Sequence, residues 1–351
     1  MIRFFKDLNG KAVIVSTGVT LILLFFIFLG SRDLQNFDAA LITYFFGTIF
    51  AVFGITYRYA VWLQRPPTWM YFKRGFQLFF KGRVLYYFFQ VIKKSVVNIG
   101  LQKFIYPRSK SRWLAHFFIA FGCTMAFAIT IPLTFGWIHF TLAPDTIEIY
   151  EAHFFGFKVF EFPLGGMVAL LTFHALNWSS YLVIFGSLYF LRRRLTHPGL
   201  IATQTFERDL LPLILLIIIS VTGLGLTYSY QFMEGLAFDF LAVTHAISVI
   251  IFLIWIPFGK FFHIIQRPAQ IGAHIYREEG ERLGMAICPH TGNEFDTQLH
   301  VNDLKIVTKE LGFNFDKPDG TSHLDLSPEG KRSLLAKAHL QARLDSGKMF
   351  G

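Results

Sequence analysis

Six long apolar stretches, Val13–Leu29, Ala39–Tyr57, Trp113–Phe135, Pro163–Leu191, Leu210–Tyr228 and Leu236–Phe258, alternate along the chain with shorter polar segments. A bilayer core takes about 20 helical residues to cross, so the pattern predicts six transmembrane helices, the first two forming a hairpin. No small-residue cleavage site follows the first stretch, and the second begins within ten residues, so the first reads as a retained helix and not a signal peptide. From about Gln266 the apolar runs stop, and Pro318, Gly320, Pro328 and Gly330 punctuate a polar tail with helices predicted over Val301–Leu311 and Glu329–Leu344. The expected fold class is an all-α membrane protein, a six-helix transmembrane bundle with a small cytoplasmic tail. It divides into an N-terminal hairpin (1–61), a basic cytoplasmic or interfacial segment (62–112), a four-helix core (113–265) and the tail (266–351). No internal repeat is evident, which weighs against inverted-repeat transporters.

Composition agrees with lipid as the main solvent. Hydrophobic residues make up 53% of the 351 positions and charged ones 16%, against about 25% charge in an ordinary soluble domain. A net charge of +10 read by itself would suggest a nucleic-acid partner, but its distribution says otherwise. Between Trp62 and Arg112 stand eleven basic residues and no acidic one, whereas the loop Gly136–Phe162 holds Asp145, Glu148, Glu151 and Glu161 against Lys158. Basic loops stay in the cytoplasm, so both termini are expected there, and the positive charge is a topology signal and not a nucleic-acid footprint. Within the basic segment, GRVLYYFFQVIKKSVVNIGLQKFIYPR mixes aromatic, aliphatic and cationic residues as a helix in the headgroup plane does; a re-entrant hairpin is the alternative. Cys123 and Cys288 lie in unlike surroundings and imply no disulfide framework. Two cysteines also cannot supply the four thiolates of an iron-sulfur cluster.

Ionisable side chains inside a span are costly unless paired or ligated. Four of the twelve histidines, His116, His174, His245 and His263, lie in or at the edge of the expected spans. Eighteen residues separate His245 from His263, five whole turns, which puts both imidazoles on one face of one helix about 27 Å apart. His116 and His263 then share the cytoplasmic depth, and because His174 stands 18 residues before Arg192, as His245 does before His263, His174 and His245 share the outer depth if Arg192 and His263 mark one plane. Two histidine pairs at two depths suggest two bis-histidine b-type haems. For His174, with Asn177 and Ser179 nearby, a polar cluster is the competing reading. Lys260 and Arg267 flank His263 as candidate propionate contacts, or as snorkelling cations. His139, His153 and His197 fall in loops and read as solvated.

These residues carry a family resemblance. THAISVIIFLIWIPFGKFFHIIQRP resembles the last helix of the gamma subunit of respiratory nitrate reductases and of the membrane cytochromes of sulfite-reductase-associated and heterodisulfide-reductase-type complexes. LRRRLTHPGLIATQTFERDLL is similar to that family's basic connection between two helices. The resemblance spans roughly Arg112–Pro268. It implies a quinol-oxidising, haem-b-containing subunit of the bacterial cytoplasmic membrane that passes electrons to a cytoplasmic iron-sulfur subunit and then to a catalytic subunit. It assigns His116 and His263 to the cytoplasmic-side haem and His245 to the outer one. The family's fourth ligand position is Ala126 here, so either His174 replaces it or one haem is present and not two.

The expected function is therefore electron transfer between the quinone pool and a cytoplasmic oxidoreductase partner, with Lys158, Glu161 and His153 as candidate groups at the quinone site. A multi-pass transporter and a cofactor-free membrane anchor are the alternatives. In the tail, ICPHTGNEFD resembles half of a zinc knuckle, but no second half follows. Cys288 and His290 are therefore read as part of a docking surface for a partner subunit before a metal site.

Overall fold

The computed structural model describes residues 8–38, 41–81, 83–144, 146–318 and 320–347. Ala39, Asp145 and Gly82, named above in a span, a loop and the basic segment, lie outside them. The chain forms two compact units, residues 1–61 with 96–266 and residues 62–95 with 267–351. The first residues of the basic segment thus cluster with the tail.

In the larger unit, α1 (Gly10–Gly30) starts where the Asn9 side chain accepts from the Ala12 N–H at 3.0 Å, a side-chain cap on an orphan donor. It is followed by α2 (Ile42–Leu63). The Ser109 side chain caps α5 (Lys110–Thr134), which contains Pro132; α3 (Pro66–Lys81) and α4 (Val84–Lys94) belong to the smaller unit. Next come α6 (Met167–Phe173) and α7 (Ala175–Thr196), bent by 49° about His174. A wide turn over Phe206–Leu210 leads into α8 (Leu211–Phe232), and α9 (Phe238–Trp255) follows. Among the described residues five helices are long and apolar enough to cross a membrane, and the bent pair makes a sixth candidate if it is one span. Only 11–22% of the apolar windows of those five helices is buried inside the protein, so most of their surface needs an apolar solvent. The core lies where Ala51, Val183, Leu215, Leu216, Phe252, Leu253 and Ile256 meet.

Glycines permit a close crossing between α5 and α7. A Cβ on Gly186 would lie 2.5 Å from the Ala115 carbonyl oxygen, and one on Gly122 would lie 2.7 Å from Val183 Cγ2. Small residues let helices approach this way in lipid, where packing replaces the hydrophobic effect as the driving force.

The acidic segment expected as a loop is a three-stranded antiparallel sheet, β1 (Ile138–Leu142), β2 (Ile149–Phe154) and β3 (Phe157–Pro163), in the order β1-β2-β3. Its residues alternate. Register pairs His139 with His153, Thr141 with Glu151, and Glu151 in turn with Glu161, so these polar side chains share one face. Phe140, Tyr150 and Phe162 occupy the other, packed on Phe173 of α6.

The smaller unit consists of α3 (Pro66–Lys81), α4 (Val84–Lys94), most of α10 (Phe262–Leu283), the hairpin β4 (Met285–Ile287) and β5 (Glu294–Thr297), α11 (Gln298–Glu310) and α12 (Pro328–Asp345). Helices α11 and α12 occupy the two tail stretches that the sequence marks as helical. Buried polar ties hold this unit together. Arg74 of α3 grips Asp303 of α11, Tyr276 of α10 donates to the same carboxylate, and Tyr87 of α4 donates to Glu279 of α10.

Candidate functional site

The expectation that one helix carries both His245 and His263 fails. Helix α9 ends at Trp255, the backbone turns over Ile256–Phe261, and α10 begins at Phe262. Pro257 is the local cause, because it lacks the N–H that would continue the ladder. The break is held from α2: Arg58 donates to the Pro257 and Gly259 carbonyls and lies 4.2 Å over the Phe262 ring. The 18-residue spacing therefore does not align the two imidazoles.

The outer pairing is also corrected. His245 meets Thr222 of α8 at 2.9 Å, and His174 meets Gln231 of the same helix at 3.1 Å. Thr222 and Gln231 are nine residues apart, which is about 13 Å of rise and half a turn of residual rotation. His174 and His245 thus attach to opposite sides of α8, about 13 Å apart along its axis, and this structure does not bring the two rings together. The residue count assumed that Arg192 and His263 mark one plane. The bend at His174 and the break before His263 remove that premise.

All four histidines nonetheless share a local feature. The Nδ1 atom lies 2.6 Å from Gln102 Oε1 in His116, 3.0 Å from the Leu170 carbonyl in His174 and 2.6 Å from the Lys260 carbonyl in His263. In His245 it lies beside Thr222 Oγ1, whose own proton goes to the Ile218 carbonyl. Carbonyl oxygens only accept, so Nδ1 carries the proton and Nε2 the lone pair in each neutral ring. In His174 that lone pair accepts from the Gln231 amide, so both nitrogens are used. His116 packs edge-on against Phe190, and His245 rests on Gly223, where an added Cβ would come within 3.2 Å of the ring.

Lys260 pairs with Asp209, which also holds Arg194 at 3.0 Å, and Arg267 bonds Gln270 at 3.2 Å. The propionate contacts expected of Lys260 and Arg267 are thus replaced by protein partners in this structure.

The three candidate quinone-site groups do come together, around a residue not singled out beforehand. Glu151, 9% exposed, takes Lys158 at 2.7 Å and His153 at 3.5 Å, and Lys158 also pairs with Glu161. The bond from Lys158 holds the Glu151 carboxyl below its ordinary value, and the two carboxylates raise Lys158. His153 is not simply solvated: its ring stacks on His139 with centroids 4.8 Å apart and planes within 4°. Burial lowers His139, and the neighbouring His153 and Arg32 lower it further, while a backbone bond with Gly136 opposes them. Period-two alternation over 138–142 and 149–154 was the signal that could have found this face. A hollow of about 410 Å³ lined by Leu164, Met167, Leu170, Phe173 and His174 opens at the bend between α6 and α7.

In the tail, Cys288 is fully buried. Burial by itself raises the thiol, but bonds from the hydroxyls and backbone of Ser327 and Thr291 outweigh it and bring it down to about 6. His290 Nε2 lies 3.0 Å from Ser333 Oγ. Cys288 is thus enclosed by the start of α12 and the β4–β5 turn and is not presented at the surface, whereas His290 is half-buried.

Arg58 stands one residue past the second expected span, Ala39–Tyr57, but inside the observed helix α2, and no sequence signal singled it out. The chain matches no protein-family model, no curated protein and no solved structure.

Proposed function

We propose that this protein is the b-type haem membrane subunit of a multi-subunit oxidoreductase, transferring electrons between the quinone pool and an iron-sulfur partner on the cytoplasmic side. In this reading the bent helix pair counts as one of six spans, both termini are cytoplasmic, and the membrane is the bacterial inner membrane. The observation that carries it is the Nδ1 hydrogen bond that His116 and His263 both make, since histidines that ligate a metal through Nε2 have the other nitrogen held by an oxygen. Its donor set is one His116/His263 pair near the cytoplasmic side; the outer pair His174/His245 does not fit and carries no step.

A low-spin bis-histidine haem supplies one-electron transfer. The chain's own residues bind and deprotonate the quinol. The apolar hollow at Leu164–His174 takes the ring, as such pockets combine apolar walls with few polar groups. A quinol gives up two protons with its two electrons; Glu151, His153 and Glu161, arranged about Lys158, stand on the sheet face away from Phe173 and take those protons once they have left the hollow on the outer side.

A reduced-minus-oxidised spectrum of the purified protein tests this reading. The expected result is the alpha band of a b-type haem at about one haem per chain, lost in His116→Ala and His263→Ala and kept in His174→Ala. A protein without that band is a transporter or an anchor.

A further inference from the structure

We propose that α3 and α4 form a platform that binds the anionic phospholipid of the inner leaflet, with an aromatic stripe in the acyl boundary and basic residues among the headgroups. This inference concerns the smaller unit alone and stands whether or not the protein holds haem.

Both helices are turned inside out relative to a water-facing helix. On α3, Arg74 reaches Asp303, Gly75 sits against the backbone of Gly272 and Tyr71 stacks edge-on against Tyr276. On α4, Tyr87 is fully buried against Glu279. The polar and small residues thus face the protein. Outward stand Trp69, Phe76 and Phe80 on α3, 50–67% exposed, at spacings of seven and four that return to one helix face. Leu85, Phe89 and Ile92 do the same on α4 at 46–76%. Six large side chains on two consecutive helices make an apolar patch that soluble surfaces avoid.

Charge selects the partner. Exposed Lys73, Lys81, Arg83 and Lys93 accompany the stripe, and no acidic residue stands between Trp62 and Arg112. Apolar insertion flanked by cations is the pattern of interfacial helices on anionic leaflets. Chain length fixes the level, because two residues separate Leu63, the last of span candidate α2, from Pro66, the first of α3. Two linking residues reach about 10 Å at most, so the chain connection keeps the first residue of α3 within that distance of the last residue of a span candidate. An acidic protein partner would also match the charge, but it would not require aromatic side chains at this level.

The test uses the full chain carrying Phe89→Cys labelled with an environment-sensitive maleimide. Cys288 is fully buried and Cys123 packs in the core, so the new thiol is selected. The protein is placed in nanodiscs of phosphatidylcholine alone or mixed with phosphatidylglycerol, and the label is challenged with spin-labelled lipid and with aqueous iodide. The expected result is quenching by lipid and protection from iodide, stronger in the anionic discs, with the difference lost in the variant Lys73→Gln/Lys81→Gln/Arg83→Gln/Lys93→Gln. A label open to iodide in both discs overturns the proposal and leaves a surface for a protein partner. Equal burial in both discs overturns the anionic selectivity.

Discussion

Arg58 donates to the backbone carbonyl of Pro257 at 2.6 Å and so ties α2 to the end of α9 across 199 residues of sequence. Its second bond, to the Gly259 carbonyl at 3.0 Å, and its stacking over Phe262 complete a cap for carbonyls that the helix break leaves without partners. Hydrogen bonds to a charged donor contribute about 1.5–3 kcal/mol each, and part of that returns to solvent when the donor is lost. Arg58→Ala should therefore lower stability by about 2–3 kcal/mol, and Arg58→Lys by about 1 kcal/mol, since it keeps the charge but not the flat stack. Thermal unfolding of the detergent-solubilised protein measures both. Equal losses would mean that the geometry of the fork is irrelevant.

Gly186 makes a sharper contrast. Ala at this position places a Cβ 2.5 Å from the Ala115 carbonyl oxygen and 2.6 Å from Ile119 Cγ1, while Ala at Gly18 meets nothing within 4 Å. Overpacking a tight crossing costs about 1–3 kcal/mol, whereas a helical Gly replaced by Ala without a clash gains up to about 1 kcal/mol. The two substitutions are the same chemistry and should have opposite signs in the midpoint of thermal unfolding. A neutral Gly186→Ala would show that α5 and α7 separate at little cost.

The apolar runs were legible because a membrane span is a matter of length and composition, both of which the chain displays openly. What was not legible depends on third elements. The 18-residue spacing of His245 and His263 presumes an unbroken helix, and Pro257 together with Gly259 already hinted at a break, but Arg58 and its hold on that break come from another helix. His174 and His245 were judged level by counting from their helix ends, and only α8, standing between them, shows that they lie on opposite sides. The His139/His153 stack was hidden for a different reason: residues 138–163 were weighed for charge and not for alternation. Arg74 and Asp303 lie 229 residues apart, and no local pattern announces such a pair.

The three-stranded sheet β1-β2-β3 should respond to mild acid. His139 is held below its ordinary value of 6.5 by burial, by His153 stacked on it and by Arg32. With the folded value depressed, the unfolded chain binds the proton more readily, so stability rises with pH through this window. The contribution of neutral His139 is complete above about 6.5 and is lost as pH falls through the folded value. Glu151 adds the same sign at lower pH: its contribution is complete above the ordinary carboxylate value of 4.5 and is lost below it. Hydrogen exchange of residues 138–163 should therefore quicken between neutral pH and about pH 5, after correction for the intrinsic rate, and His139→Gln should flatten that step. An unchanged step in the variant would assign it to another group.

Asp303 provides the severest test of the smaller unit. It is 3% exposed and accepts from Arg74 through both Nε and Nη2 and from the Tyr276 hydroxyl at 3.0 Å. The Asp303 charge and its hydrogen bond raise the phenol of Tyr276, as does its burial, which is the largest influence. Removing one partner of a buried ion pair costs about 3–5 kcal/mol, but Arg74 is one-third exposed and recovers some hydration, so Asp303→Ala should cost about 2–3 kcal/mol. That loss speeds the slowest-exchanging amides of α11 by about 30- to 140-fold where exchange requires opening of the unit. Asp303→Asn keeps the shape and an acceptor and should cost less. If the contact is a true pair, Arg74→Ala combined with Asp303→Ala should cost less than the sum of the single changes, because the second truncation removes the charge stranded by the first. Additive losses would mean that Asp303 acts through Tyr276 and the packing of α10, with the guanidinium contributing nothing beyond its own side-chain burial.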